Sequence, residues 1–208
     1  MTLPLPPGSG SRSAGRGPAS GNTSSGYLSG HFLIAMPQMR DPRFHKAVIY
    51  VCAHSAEGAM GLVINKPLES LTVTDLMAHL SVSVETELPK TPVHFGGPVE
   101  TARGFVLHGC DYVEESSLVV GPDMALTATL DILRAIAQGE GPRRYLMALG
   151  YAGWGPGQLD TEIQANSWLH IACDDGLIFD STNDTKWERA LGRLGIDLRM
   201  LSTEAGHA

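Results

Sequence analysis

Along the chain, apolar positions come in short runs broken by glycine, proline and polar clusters, a strand pattern more than a pattern of long amphipathic helices. Gly30-His-Phe-Leu-Ile-Ala-Met-Pro37 is a short apolar strand that the proline stops, and Asp41-Pro-Arg-Phe44 is a turn. His45 to Ala53 is hydrophobic at nearly every position, which predicts a strand buried on both faces. His54 to Gly58 is a loop of hairpin length, and Met60 to Asn65 is the returning strand, ended by Lys66-Pro67. Further strands are predicted at Gly104–His108, Ser117–Val120, Ala125–Thr127, Tyr145–Ala152 and Ser167–Cys173. Phe95-Gly-Gly-Pro98 is a tight turn, and Leu177–Asp180 is a short apolar run.

Helical spacing occurs in fewer places. Thr72 or Thr74 can cap a helix to about Leu80, with Leu76, Met77 and Leu80 on one face. A second helix runs from about Ala128 to Gln138, with Gly139 as its stop, and a third from Asp184 to Leu194 with Trp187, Ala190, Leu191 and Leu194 as its core stripe. Strands outnumber helices, and several neighbours are joined too briefly for crossover helices. The expected class is therefore mixed α+β in a single domain, not a doubly wound sheet.

The densest clustering of unusual residues is Leu149 to Leu169, where four glycines, a proline, two tryptophans and several polar side chains sit between apolar runs. It reads as strand, glycine turn and short helix beginning near Pro156, a residue tolerated in a first turn because its missing N–H would be unpaired there anyway. Gly153, Gly155 and Gly157 form GxGxG, which is not the dinucleotide fingerprint GxGxxG. Gln158 and Glu162 stand four apart and share a helix face. They either line the edge of a groove, with Asn166 just beyond, or bind loop backbone and hold the glycine turn.

Composition narrows the classes. The 208 residues are 43% hydrophobic, enough for one sizeable core. Residues 1–26 are rich in Gly, Ser, Pro and Arg and are expected to be a disordered extension; the fold is expected over residues 27–200, with residues 201–208 frayed. The net charge is −7, and setting aside the two arginines of residues 1–26 leaves −9 on the rest, a poor match for phosphate neutralisation. Three cysteines without a CxxC pair indicate reduced thiols. Cys52 reads as a small buried hydrophobe, and the acids beside Cys173 should raise its pKa. No apolar run reaches the ~20 residues of a membrane span, and residues 1–26 have no signal-peptide core, so a cytoplasmic location is the expectation.

Motifs with a known mechanism are mostly absent: GxxxxGK[ST], GxSxG and HExxH do not occur, and the eight histidines show no ligand spacing. No cofactor or metal site is expected. Asn65-Lys66-Pro67 closes a strand at a sheet edge, where sites often gather, and Lys66 is either an anion ligand or a solvated strand-end lysine. Lys186, Arg189 and Arg193, three and four apart, read as a solvated basic face of the last helix.

Gly30–Pro37, Gly61-Leu-Val-Ile-Asn-Lys-Pro67, Phe95-Gly-Gly-Pro-Val99 and Leu149-Gly-Tyr-Ala-Gly-Trp-Gly-Pro-Gly-Gln-Leu159 together resemble the bacterial AlgH/YqgE family, and Gln158–Ile163 and Asn166–Leu169 extend the match. The resemblance covers roughly residues 26–200. It implies a single domain whose curled, partly barrel-like mixed sheet is flanked by a few helices, in a cytosolic bacterial protein of a family without an established molecular function. The family carries an old label of transcriptional regulator, but no helix-turn-helix pattern occurs here. It supplies no catalytic residue to carry over; Asn65, Lys66, Gln158, Glu162 and Trp168 match its patterned positions.

The sequence thus points to a non-enzymatic binding or regulatory module, with Asn65, Lys66, Trp154, Gln158, Glu162 and Asn166 as binding candidates and a protein or small anion as partner. The alternative is an enzyme with Glu162 as general base and Lys66 as electrostatic stabiliser, which requires both at one site. Direct nucleic-acid binding ranks third.

Overall fold

The strand predicted to be buried on both faces is the one that divides the core. In the computed structural model, which describes residues 27–196, β2 (Val48–Ser55) buries Val48 through Cys52 without interruption. Val48, Tyr50 and Cys52 join one hydrophobic cluster, while Ile49 and Val51 join another. Alternation along one strand therefore feeds two separate cores. The expectations for residues 1–26 and 201–208 lie outside the described residues.

β2 pairs antiparallel with β1 (His31–Ala35) and β3 (Gly58–Val63), and β1 pairs with β10 (Trp168–Ala172). β2 extends to Ser55, so the predicted loop from His54 tightens to a turn at Ala56-Glu57. On the other side β3 meets the last residues of β9 (Tyr145–Trp154), and β9 meets β6 (Val99–Gly109), which pairs with β8 (Met124–Thr127) and through it β7 (Leu118–Val120). β5 (Pro92–Phe95) lies parallel to β9 and antiparallel to β4 (Pro67–Thr72), the strand that continues after Lys66 where the sequence suggested an ending.

One cluster draws side chains from across the sheet: Phe32, Tyr50, Leu62, Phe105, Leu107, Leu126 and Leu146 with Leu177, Trp187 and Leu191. Strands so far apart in the sheet order share a core only because the sheet curls into a half-barrel. The helices α4 (Asp175–Ile178) and α5 (Asn183–Arg193) plug its concave side. Two convex patches remain. α1 (Val73–His79) and α2 (Leu130–Gln138) cover one, and α3 (Gln158–Gln164) with Trp154 and Trp168 covers the other. With five helices among the described residues, this is the single α+β domain expected.

Local chemistry places the helices. Thr72 caps α1 in a capping box with Asp75, and Gly139 ends α2 in the left-handed conformation at φ 78°. Leu194, expected in the core stripe of the last helix, is exposed instead, as is Leu130, because each sits at a helix end past the buried turn. The run Leu177–Asp180 is largely the short helix α4 and the residues that follow it. α3 begins at Gln158 and not at Pro156, since the left-handed Gly157 forms its N-cap.

One expectation fails outright. Lys186 is 1% exposed, not part of a solvated basic face. The buried positions of α5 are Lys186, Trp187, Ala190 and Leu191, a stripe in which 186 and 190 are stacked one turn apart. The Lys186 ammonium donates to the carbonyls of Ile64 (3.1 Å) and Ile178 (3.0 Å), and burial lowers its pKa to about 8. Arg189 and Arg193 do lie outside, paired with Asp180 and Asp174.

Candidate functional site

Glycine contacts set the frame of the site. A Cβ on Gly97 would lie 2.1 Å from the Tyr151 carbonyl carbon, one on Gly96 2.2 Å from the Gly150 oxygen, and one on Gly150 2.4 Å from the Gly97 oxygen. Backbone therefore presses on backbone where the Phe95–Pro98 turn crosses β9. Gly150, at φ 71°, also reverses the alternation: Leu146 and Ala148 face the concave core before it, and Tyr151 does so after it. Ala152 and Trp154 are thereby turned onto the convex side.

There the Trp154 ring meets the edge of Trp168 with centroids 5.9 Å apart, and Trp168 meets Phe44 at 5.6 Å. Glu162, on α3, accepts hydrogen bonds at one oxygen from both indoles, Trp154 Nε1 at 2.9 Å and Trp168 Nε1 at 2.8 Å. Its other oxygen accepts from Gln158 Nε2 at 2.8 Å, and Gln158 Oε1 in turn accepts from the Gly155 N–H at 3.0 Å. The hydrogen bonds have this pair hold the glycine turn and, beyond it, the two tryptophans, while both side chains also border a groove.

This constellation floors a cleft of about 580 Å³ whose opposite wall is the loop Gln38–Phe44. Trp154, Gln158, Glu162 and Asn166 line it; Asn65 and Lys66 do not. Asn65 is used internally, accepting from Val48 N and donating to Lys46 O, both at 2.8 Å, so it ties β3 to the start of β2. Lys66 is half-buried, its pKa lowered by burial and partly restored by the charge of Asp41. It reaches the cleft only through that field.

Asn166 takes a left-handed conformation, φ 55°, that asparagine tolerates. Its carbonyl accepts from Gln38 Nε2 at 3.3 Å, bridging the two walls, and its side-chain amide has no hydrogen bond among the described residues. On the loop, Arg43 clamps Asp41 through Nε (3.0 Å) and NH2 (2.6 Å), which holds the Asp41 carboxyl below its usual range. Arg40 is exposed and has no carboxylate within ion-pair reach among the described residues. The sequence marked Asp41–Phe44 only as a turn. The two arginines at 40 and 43, between two buried strands, were the signal available for a second wall.

As an enzyme site this arrangement is poor. Glu162 has both oxygens engaged in holding Gln158 and the two indoles, so neither is directed at a substrate. Lys66 is not beside it. The thiols sit elsewhere: burial pushes Cys52 up to about 12, and burial with Asp175 and Asp174 does the same to Cys173.

The fold and the cleft define a class: a half-barrel α+β domain with an aromatic, arginine-flanked groove on its convex side. The sequence profile of the AlgH-like family matches residues 32–199, and the chain belongs to that family. It is 57% identical over 183 residues to a UPF0301 protein of Rhodospirillum rubrum, covering 88% of this chain and 95% of that one. It is 53% identical over 209 residues to a UPF0301 protein of Bradyrhizobium diazoefficiens, covering 97% and 96%. Among solved structures, the solution structure of the AlgH protein from Pseudomonas aeruginosa superposes with a TM-score of 0.72 at 41% identity, over 91% of this chain and all of that one. A crystal structure from Corynebacterium diphtheriae shares the fold at a TM-score of 0.69 and 18% identity, over 85% of this chain and 92% of that one. No helix among the described residues is long and apolar enough to cross a membrane.

Proposed function

We propose that this protein is a non-enzymatic binding module whose convex cleft takes a negatively charged group, carried on a protein segment or as a small anion. The observation that supports it is the division of labour in the cleft. Glu162 is consumed by the two indoles and Gln158, and the groups left facing outward are the Arg40 guanidinium and the Asn166 amide. Those are recognition groups, a charged donor and an amide, with aromatic walls to exclude water. A regulatory role would follow from occupancy of this cleft by a partner, not from chemistry performed in it.

The indole N–H resonances of Trp154 and Trp168 point at the cleft floor and report on it directly. Titrated with a short acidic peptide and, separately, with inorganic phosphate, at least one of the two should shift saturably. Arg40→Ala should weaken the response, as should Ala165→Trp, which fills the cleft from the end of α3. Indole resonances that stay fixed with both probes would count against the cleft as an anion site.

A further inference from the structure

A second cavity, of about 380 Å³, opens on the concave side where β5, the first residues of β9 and the start of α5 meet. It falls within the ~300–1,000 Å³ range of small-molecule pockets. Four buried side-chain atoms among the described residues have no hydrogen-bond partner: both ring nitrogens of His94, the Tyr145 hydroxyl and Asn183 Oδ1. All three residues border this one cavity, but the Tyr145 side chain packs with Val93 and Met147 on the other face of the sheet, its hydroxyl near Thr91, so His94 and Asn183 are the two that face in. His94 is 5% exposed, and its ring turns inward because Val93, its neighbour on β5, faces the opposite core. Asn183 and the backbone of Met147 and Pro92 approach the ring without reaching hydrogen-bond geometry.

Buried polar groups are nearly always paired, and each unpaired one costs stability. Two such residues, His94 and Asn183, face this cavity from separate elements and are arranged for something that enters it. Burial, reinforced by the positive charge of Lys186, lowers the His94 pKa to about 4, so at neutral pH the ring is uncharged, with one donor and one acceptor. The floor thus recognises an uncharged polar group. The mouth differs. Exposed Lys90 and Arg143 stand at it with no carboxylate in ion-pair reach among the described residues, and the Arg144 guanidinium stacks 4.9 Å over Phe179. This concentration of cations occurs on a chain of net charge −7.

We infer that the cavity is a binding site for a small organic acid. Its anionic end meets Lys90 and Arg143 at the mouth, and its uncharged polar end meets His94 and Asn183 inside. Pro92, Leu146 and Phe179 supply the apolar walls between the two ends. The site is separate from the convex cleft, with which it shares no lining residue.

The test uses NMR on the full chain, following the His94 ring nitrogens and the amides of Val93–Phe95, Tyr145 and Asn183. The probes are para-hydroxybenzoate, hydroxybutyrate and glycerol phosphate, each beside its neutral counterpart: para-hydroxybenzamide, hydroxybutyramide and glycerol. At least one acid should shift these signals saturably below about 10 mM, and its neutral counterpart should bind at least fivefold more weakly. Carboxylate and phosphate sources are told apart by which acid responds. Lys90→Ala with Arg143→Ala, both at exposed positions, should remove that preference without changing Tm. His94→Phe should abolish binding while Tm stays level or rises, since it removes orphaned polar atoms at similar volume. Silence from all three acids, equal binding of acids and neutral counterparts, or a fall in Tm with His94→Phe would each overturn the assignment.

Discussion

At the scale of single residues, Glu162 shows how a side chain that the sequence offers as chemistry is spent on structure. Trp154 and Trp168 are 7% and 2% exposed, so their indole N–H groups depend on that carboxylate. Glu162→Ala strands two buried donors, each worth ~1–3 kcal/mol when left unpaired, and should lower stability by about 2–4 kcal/mol in urea unfolding followed by circular dichroism. Gln158→Ala exposes only the Gly155 N–H to solvent and should cost under about 1 kcal/mol. If Glu162→Ala left stability unchanged, the carboxylate would be free for recognition and the structural assignment would be wrong. The i, i+4 spacing made the pair legible as a shared face, but not its direction. The partners, two tryptophans, lie on strands that the sequence could not bring together. Lys186 was misjudged for a related reason. Its charge was read and its place in the stripe Lys186, Trp187, Ala190, Leu191 was not, although helical periodicity carried it.

At the scale of elements, the decisive feature is the crossing of the Phe95–Pro98 turn over β9. Gly96, Gly97 and Gly150 interlock there backbone to backbone, and the crossing decides which face Trp154 takes. Gly97 is at φ 154° and its Cβ position is occupied by Tyr151 backbone, which cannot move aside like a side-chain tip. Gly97→Ala should therefore cost more than about 3 kcal/mol and dull the near-ultraviolet circular dichroism of the tryptophans. Gly157→Ala, at φ 67° with open space around it, should cost only about 1 kcal/mol. Equal penalties at the two positions would show that conformation, not crowding, sets the cost. Most strands were legible because alternation and continuous apolar runs report burial directly, as at β2. β4 was not, because Pro67–Thr72 is half-exposed and owes its strand character to pairing with β5. The glycine motifs were legible as turns, but their interlock depends on the parallel pairing of β5 with β9, which no local pattern encodes.

At the scale of the whole molecule, charge bears on the one activity that the regulator label of the family would suggest. Duplex DNA binding draws on the release of counterions, with log K falling by about 0.9 per neutralised phosphate for each decade of salt. A chain of net charge −7 can still bind DNA if its cations share one face. Here they do not. Arg43, Arg103, Arg134, Arg144, Arg189 and Arg193 each sit in an ion pair with an acid, and Lys46 pairs with Glu188. The exposed cations without such a partner among the described residues divide between two places, Arg40 at the convex cleft and Lys90 with Arg143 at the concave cavity. Each place offers one or two charges, enough for a small anion and too few for a run of phosphates. Titration of the protein into labelled duplex at low salt should therefore give no saturable binding, or binding with a salt slope of about one to two. A slope of about five or more would require a basic surface outside the described residues and would return direct DNA contact to first place. Neighbouring acids neutralise the paired cations, so the exposed unpaired cations among the described residues fall at the two openings proposed to take small anions.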